Sequence, residues 1–195
     1  MSVTANDIKF YLTGAGSDGG SQASPNAALG SYRSSTEVVT ATLDNLFDDV
    51  SSSEATTGST EYRCFCIKNT ASETLYNIKI WIYSETDPNS DQVIYFAVEV
   101  PETANLTNGD AQSIVNETTA PTSINTTNFN GTGSGISNWS TAAIKANGLS
   151  TAYGAHDDDL DAGEICFIWI KRVIDAGSQA QSNMAFTIRI EGDTL

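Results

Sequence analysis

The sequence predicts an all-β protein: a single antiparallel β-sandwich, Ig-like or jelly-roll-like, with long polar loops and an extended N-terminal arm. Three observations predict it. The densest apolar run, Glu164–Arg172, is short, rich in β-branched and aromatic residues and bounded by turns, which is typical of a central strand covered on both faces. Leu75–Tyr83 and Met184–Glu191 alternate apolar and polar residues with the two-residue period of a strand. Ser, Thr, Asn and Gly fill the segments between these runs, as in loops.

The other strands are predicted from the same spacing. In chain order, the expected strands are Asp7–Leu12, Glu37–Leu43, Tyr62–Lys68, Leu75–Tyr83, Gln92–Val100, Glu164–Arg172 and Met184–Glu191. Leu75–Tyr83 and Gln92–Val100 are expected to form a hairpin through a turn at Glu85–Asp91. Further short strands are expected around Gln112–Val115 and Trp139–Ala146, because a long loop without structure is unusual in a compact domain.

The chain is expected to divide into an N-terminal strand and arm over residues 1–35 and a β-sandwich domain over residues 36–195. The domain carries an Asn/Thr-rich insertion at residues 101–150. Between the early strands, Leu46, Phe47 and Val50 form a short apolar anchor, and Ser51–Ser59 is expected to be a Ser/Thr loop.

The charge balance restricts the classes of partner. Lys and Arg total 9 against 24 Asp and Glu, so the net charge is −15. Binding to nucleic acid requires clustered cations, and an anionic membrane surface would repel this chain, so neither is an expected partner. We see no secretory signal and no apolar run near the roughly 20 residues of a membrane helix. The chain is therefore expected to be made and kept in a cytoplasm.

The three cysteines are Cys64, Cys66 and Cys166. Cys64 and Cys66 are two positions apart on one strand, so they point the same way and do not suit a mutual disulfide. We favour free, buried thiols that act as small apolar residues. A bridge from Cys66 or Cys64 to Cys166 is the alternative.

Several motifs are candidate binding sites. Gly14–Gly20 matches the glycine pattern of dinucleotide-binding loops, but the residues that follow, with Pro25, lack helical periodicity, so a flexible loop is favoured. The only histidine, His156, adjoins the acidic residues of Asp157–Asp161, where a solvated turn is favoured over a Ca²⁺ site because the spacing fails the EF-hand pattern.

No nucleophile, zinc set or distinctive carboxylate pair stands out. Trp81, Tyr83 and Tyr95 could form a sugar-stacking face, but a role in the core or an interface is favoured. We therefore expect no catalytic, cofactor-binding or metal-binding residues, no cofactor and no enzymatic activity.

The chain also carries a set of strand and turn motifs spread over most of its length. They are Ile8–Leu12 with the glycine loop after it, Pro25–Gly30, Ser34–Thr36, Leu46–Val50, Thr60–Cys64, Asp161–Glu164 and Ile168–Arg172. With these motifs the chain resembles a family of small virion structural proteins of tailed bacteriophages. The resemblance implies a β-sandwich that binds other virion proteins, and it supplies no catalytic residues.

The expected function is that of a capsid decoration (cement) protein, which binds the outer surface of the major capsid shell. Its expected partners are the major capsid protein, other virion proteins and further copies of itself, and its expected location is the virion after assembly in the host cytoplasm. Contacts are expected from Pro101–Ser150 and from the arm Ser2–Ser35, which should order against a neighbour. A tail- or fibre-associated protein that binds host surface glycan is the alternative.

Overall fold

The computed structural model describes residues 2–86, 91–101, 106–121, 129–130, 139–151, 157–182 and 184–195. The protein is mostly β, with 47% strand and one short helix, so the predicted class is confirmed at that level. The strands are β1 Ile8–Ala15, β2 Gly30–Glu37, β3 Ser59–Asn69, β4 Tyr76–Thr86, β5 Gln92–Glu99, β6 Asp110–Ser113, β7 Phe129–Asn130, β8 Ile165–Ile174 and β9 Ala185–Asp193. The helix α1 is Ser52–Thr57.

The strands form two antiparallel sheets. The larger has the order β6-β2-β1-β3-β8-β5-β7, in which six strands make a curled half-barrel and the two-residue β7 adds an edge. The smaller consists of β4 and β9. β8 lies between β3 and β5 and pairs with β3 from Ile165↔Lys68 to Ile174↔Ser59. The prediction that this run is the central strand is confirmed.

Both faces of β8 are covered, as predicted. On one face, Cys166, Ile168 and Ile170 belong to the main core, which also contains side chains from the smaller sheet. Those side chains are Ile78, Ile80 and Ile82 from β4, with the half-buried Phe186, Ile188 and Ile190 from β9 packed against the core. On the other face, Ile165, Phe167 and Trp169 pack in a second apolar cluster. Period-two alternation therefore identified the buried face of β4 and β9 correctly, and the lack of alternation in β8 predicted correctly that both of its faces are covered.

The predicted hairpin of Leu75–Tyr83 with Gln92–Val100 is wrong. β4 pairs with β9, whereas β5 pairs with β8, so the two successive strands belong to different sheets. Each strand buries its apolar face in the same core from opposite sides, so the chain crosses from one sheet to the other between them. Part of the expected turn, residues 87–90, lies outside the described residues.

The strand predicted at Glu37–Leu43 is also wrong. β2 ends at Glu37, and the following residues leave the sheet with Val39 64% and Leu43 67% exposed. The anchor that follows was predicted correctly, because Leu46, Phe47 and Val50 are buried.

The predicted Ser51–Ser59 loop contains α1. Ser51 and Glu54 form a capping box, in which each side chain accepts a hydrogen bond from the other residue's backbone N–H. This Ser-x-x-Glu signal was readable in the sequence.

Two short strands expected in the Asn/Thr-rich segment have different outcomes. β6 lies close to the predicted Gln112–Val115, although Val115 is 86% exposed. Trp139–Ala146 is not a strand, since Ser140 bridges to Phe96 and the carbonyl of Ala142 accepts a hydrogen bond from Ile82. That segment changes partner from one sheet to the other within two residues and cannot build a ladder on either.

The N-terminal segment is not an extended arm. β1 pairs with β3 from Ile8↔Asn69 to Leu12↔Phe65 and with β2 on its other side, so it is an interior strand. Leu12 is 3% exposed because its side chain enters the main core. The apolar positions of this strand therefore order it within the chain, without a neighbour, and the expected boundary at residue 35 falls inside β2.

One glycine is required by a close approach. Gly30 starts β2 with φ +85°, and a Cβ there would lie 1.7 Å from the carbonyl oxygen of Gln112 and 3.0 Å from the Trp169 ring. Trp169 in turn donates a hydrogen bond of 2.5 Å from its indole N–H to the buried Glu99 carboxylate. Gly30 thus lets β2 and β6 meet above the indole of the central strand.

Candidate functional site

A cavity of about 600 Å³ lies between the larger sheet and β9, under the segment of residues 38–49. Its apolar lining comes from both sheets and from that segment. The apolar lining residues are Phe10, Val38, Ala41, Leu43, Leu46, Phe47, Phe65, Ile94, Met184, Ala185, Phe186 and Ile188. Eleven polar or charged residues complete the lining, most of them in the segment of residues 38–49, and the volume lies within the range of ligand pockets.

A buried ion pair supports one end of this cavity. Glu61 of β3 and Arg172 of β8 are opposite each other in the ladder, and both side chains are almost completely buried. The guanidinium donates to Glu61 Oε2 from Nε at 2.8 Å and from Nη2 at 2.5 Å. It also donates from Nη1 to the carbonyl oxygen of Asp48 at 2.8 Å. Arg172 therefore ties residues 38–49, which form the roof segment of the cavity, to the central strand.

A second buried arginine holds the same segment from the next strand. Arg63, with a fully buried side chain, donates from Nε to the carbonyl oxygen of Leu46 at 3.1 Å and from Nη2 to Glu117 at 2.5 Å. The Phe47 ring lies 5.4 Å from the guanidinium of Arg63 and 4.7 Å from that of Arg172. The Phe47 ring thus adds a cation–π contact to each of the two buried guanidinium groups.

Burial controls the acid chemistry of the Glu61 carboxyl. Desolvation raises the pKa of Glu61 to about 7, although the positive charge of Arg172 acts in the opposite direction. A side-chain hydrogen bond with Glu54 adds to the increase, since it favours a protonated member of the carboxyl pair. Glu61 therefore titrates near neutral pH, and its charge state is coupled to the contacts that Arg172 makes with the roof of the cavity.

The rim of the cavity is acidic. Asp44, Asp48 and Asp49 are exposed and line it. Asp48 lies 3.6 Å from Arg172, whereas Asp44 and Asp49 have no ion-pair partner among the residues that the structure describes. Together with the lining, this rim suits an apolar group whose neighbours carry positive charge.

The acidic turn weighed as a Ca²⁺ site is used for local hydrogen bonds. Asp159 accepts from the Asn77 backbone N–H at 3.0 Å, and Asp161 accepts from the Thr74 hydroxyl at 2.6 Å. These bonds connect the turn to the start of β4. Across the described ranges, no three His, Cys, Asp or Glu side chains are grouped as a metal site would need, and His156 lies outside those ranges.

The glycine-rich loop continues into a short 3₁₀ turn, Pro25–Ala27, and then into β2, without the α-helix that a dinucleotide fold requires. Asp18 in the loop receives two hydrogen bonds of 2.9 Å from Nε and Nη2 of Arg33. This bidentate pair attaches the loop to β2.

The three cysteines are free and fully buried. Cys64 and Cys66 lie in the cluster on one face of the larger sheet, while Cys166 lies in the main core on the other. The alternative disulfides with Cys166 are therefore wrong, because the side chains point to opposite faces. Burial raises the pKa of the Cys166 thiol to about 12 and raises those of the other two as well.

The aromatic residues weighed for sugar stacking are not brought together. Trp81 and Tyr83 are on β4, where the Arg189 guanidinium lies 5.8 Å and 4.9 Å from their rings. Tyr95 is on β5 in the other sheet, with the Lys171 ammonium 3.8 Å from its ring. Trp81 is only 4% exposed, so its face is not free for a sugar.

Sequence reasoning missed the arginine cluster under residues 46–50. A signal was present, since Glu61 and Arg63 continue the inward-facing positions of Phe65 and Ile67 on the same strand. A charged residue at a core-facing position requires a buried partner, and the opposite charge of Arg172 was available. The sequence does not show, however, which strands are neighbours.

No helix in the described part of the chain is long and apolar enough to cross a membrane. Comparison of the chain with known proteins gave no matching family model, curated protein or solved structure.

Proposed function

We propose that this chain is a virion structural protein of a tailed bacteriophage, a capsid decoration protein that binds the outer surface of the major capsid shell. Its support is the resemblance in the strand and turn motifs, joined to a mostly β fold and a strongly acidic composition. In this proposal the smaller sheet is the second layer of a sandwich, and the protein acts by binding without catalysing a reaction.

The distribution of charge carries the proposal. Three of the nine basic residues, Arg33, Arg63 and Arg172, have side chains only 12%, 0% and 4% exposed and are paired within the fold. The outside is left with few cations among many carboxylates. Such a surface repels DNA, keeps a protein soluble at high local concentration and favours a partner with basic or polar groups.

The binding contacts are assigned to loops and strand edges. β6 lies at one edge of the larger sheet, within the Asn/Thr-rich segment Pro101–Ser150 that we propose as a contact region. β6 itself is largely covered, since Ala111 and Gln112 are buried and the Gln112 N–H donates to Glu99, so the contact is assigned to the exposed Ser113 and Val115 beside it. We further propose that the chain acts as an oligomer, joins the virion in the host cytoplasm and has the major capsid protein as its main partner.

The test is immunogold labelling of virions with an antibody raised against this chain. Label on the heads is the expected result, and label on tails or fibres would favour the glycan-binding alternative instead. Absence of label from any particle, together with recovery of the chain only as a free protein, would overturn the proposal.

Deletion of Ser2–Ser35 is not a clean test of virion binding. It would remove β1 from the interior of the larger sheet, so loss of incorporation would follow from unfolding. Substitutions at exposed positions of β6 or the 106–121 segment test the contact region without this problem.

A further inference from the structure

We propose that the cavity under residues 38–49 is a docking pocket for a segment of a partner protein, one that presents large apolar side chains flanked by Lys or Arg. The inference rests on the proposed function for the identity of the partner, and it adds where that partner binds and what chemistry it presents.

The lining selects an apolar occupant. Four phenylalanines line the cavity, and they come from the larger sheet (Phe10 of β1 and Phe65 of β3), from β9 (Phe186) and from the roof segment (Phe47). Ile94 and Ile188 complete the walls between the sheets. Binding is favourable when an apolar group replaces water in such a pocket, because apolar surface of both partners is removed from water. The volume of about 600 Å³ falls within the range of pockets that enclose a sizeable ligand.

The rim selects positive charge next to the apolar group. The exposed Asp44 and Asp49 have no ion-pair partner in the described chain, and Asp48 shares Arg172 with Glu61. The chain as a whole carries −15, so its long-range field also favours a cationic segment. An acidic or uncharged apolar ligand would lack this complementarity.

The roof segment is attached at both ends and exposed between them. At one end, the Val38 backbone N–H donates to the Phe10 carbonyl at 2.8 Å, and at the other Arg63 and Arg172 bind the carbonyl oxygens of Leu46 and Asp48. Between these ends Leu43, which lines the cavity, is 67% exposed. An apolar side chain fixed at the mouth of an apolar cavity is placed to cover an inserted group.

The experiment measures binding of short labelled peptides to the full chain by fluorescence anisotropy. The test peptide has Leu-Phe-Leu at its centre and two lysines on each side. One comparison peptide replaces the lysines with glutamates, and the other replaces the apolar centre with serines. We expect the test peptide to bind at least tenfold more tightly than either, and its affinity to fall as salt is raised, because exposed charges are screened.

Two pairs of substitutions at exposed positions test whether the peptide binds in the cavity. Asp44→Asn should lower the affinity for the test peptide about two- to fivefold, as expected for the loss of an exposed charge pair. The Asn variant suits the positive φ of 56° at this position. Its matched control is Asp157→Asn, exposed in the turn at the far end of β8, which should change nothing. Leu43→Ser should weaken binding about three- to tenfold through lost apolar contact, whereas Val115→Ser, 86% exposed and away from the cavity, should not.

The outcomes separate this inference from the proposed function. Equal binding of all three peptides, or equal effects of the paired variants, would overturn the docking pocket even if virion heads were labelled. Tight peptide binding with the expected variant effects would support the pocket even if particles were unlabelled. Self-association that Leu43→Ser abolishes, without peptide binding, would show that a second copy fills the cavity and would also overturn the inference.

Discussion

The guanidinium of Arg172 lies 4.7 Å from the centre of the Phe47 ring and donates to the carbonyl oxygen of the next residue, Asp48, at 2.8 Å. One side chain of the central strand therefore fixes both the ring and the backbone of the roof segment. Glu61 binds the same guanidinium in a buried position. Arg172 therefore joins Glu61, β8 and the roof segment into one buried unit.

Replacing Arg172 should destabilise the fold strongly. In Arg172→Met, Glu61 loses its cation and the Asp48 carbonyl loses its donor, so at pH 8, where the wild-type Glu61 carboxyl is ionised, we expect the free energy of unfolding to fall by about 3–5 kcal/mol. The measurement is urea unfolding followed by tryptophan fluorescence. Arg189→Met removes an arginine that is 47% exposed and should change stability by no more than about 0.5 kcal/mol. Similar small effects in both variants would contradict the buried unit.

The Glu61 carboxyl should make stability depend on pH near neutrality. Its pKa is about 7 in the folded chain, above the ordinary 4.5, so the folded state binds the proton more tightly. The stabilising contribution is complete below about pH 4.5 and is lost as pH rises through about 7. The unfolding free energy of the wild type, minus that of Glu61→Gln, should therefore fall by about 1–3 kcal/mol between pH 5 and pH 8.

The matched control for this pH profile is Glu37→Gln. The Glu37 side chain is 52% exposed and lies 3.6 Å from Lys9. The unfolding free energy of Glu37→Gln should therefore differ from that of the wild type by the same amount at pH 5 and at pH 8. A wild-type-minus-variant difference for Glu61 that rises with pH would show that Arg172 outweighs desolvation.

Gly30 should tolerate no side chain. Gly30→Ala places a methyl group 1.7 Å from the Gln112 carbonyl oxygen at φ +85°, and we expect a loss of roughly 3 kcal/mol or more, or failure to fold. Gly177→Ala has a similar φ of +87° in open space and should cost about 1 kcal/mol from backbone strain alone. Gly16→Ala has neither feature and should be close to neutral, so thermal unfolding of the three separates the clash from the strain.

The cysteine thiols should be unreactive in the folded chain. All three are fully buried, and burial raises their pKa values, so little thiolate forms. A thiol reagent should detect none in native buffer and all three in guanidinium chloride, with no disulfide in the non-reduced mass. Rapid reaction of the native chain would indicate that the two faces of the larger sheet open readily.

The sequence alone predicted much of the secondary structure and little of the pairing. The alternation in Leu75–Tyr83 places Ile78, Ile80 and Ile82 on one face, and that face is buried. The Glu164–Arg172 run was predicted to be central because it is apolar on both faces. The pairing of β4 with β9 could not be predicted, since alternation shows which side of a strand is buried but not which strand lies beside it.

The candidate site was beyond sequence reasoning for a similar reason. Leu46 and Phe47 were predicted to be buried, but their cavity is closed by Phe10, Ile94 and Phe186, which are far apart in the chain. The partners of Arg63 and Arg172 could not be read from the sequence either, since only the folded chain places Glu117 beside Arg63 and Glu61 beside Arg172.

The spacing of apolar side chains by itself determined that this chain forms strands, that β4 and β9 bury one face and that β8 buries both, because that pattern depends only on local backbone geometry. Tertiary structure alone decided that β1 is interior, that two sheets enclose a cavity and that an arginine pair holds its roof. Those features depend on contacts between residues far apart in the chain, whose free energies are set by the packing and desolvation of both partners together.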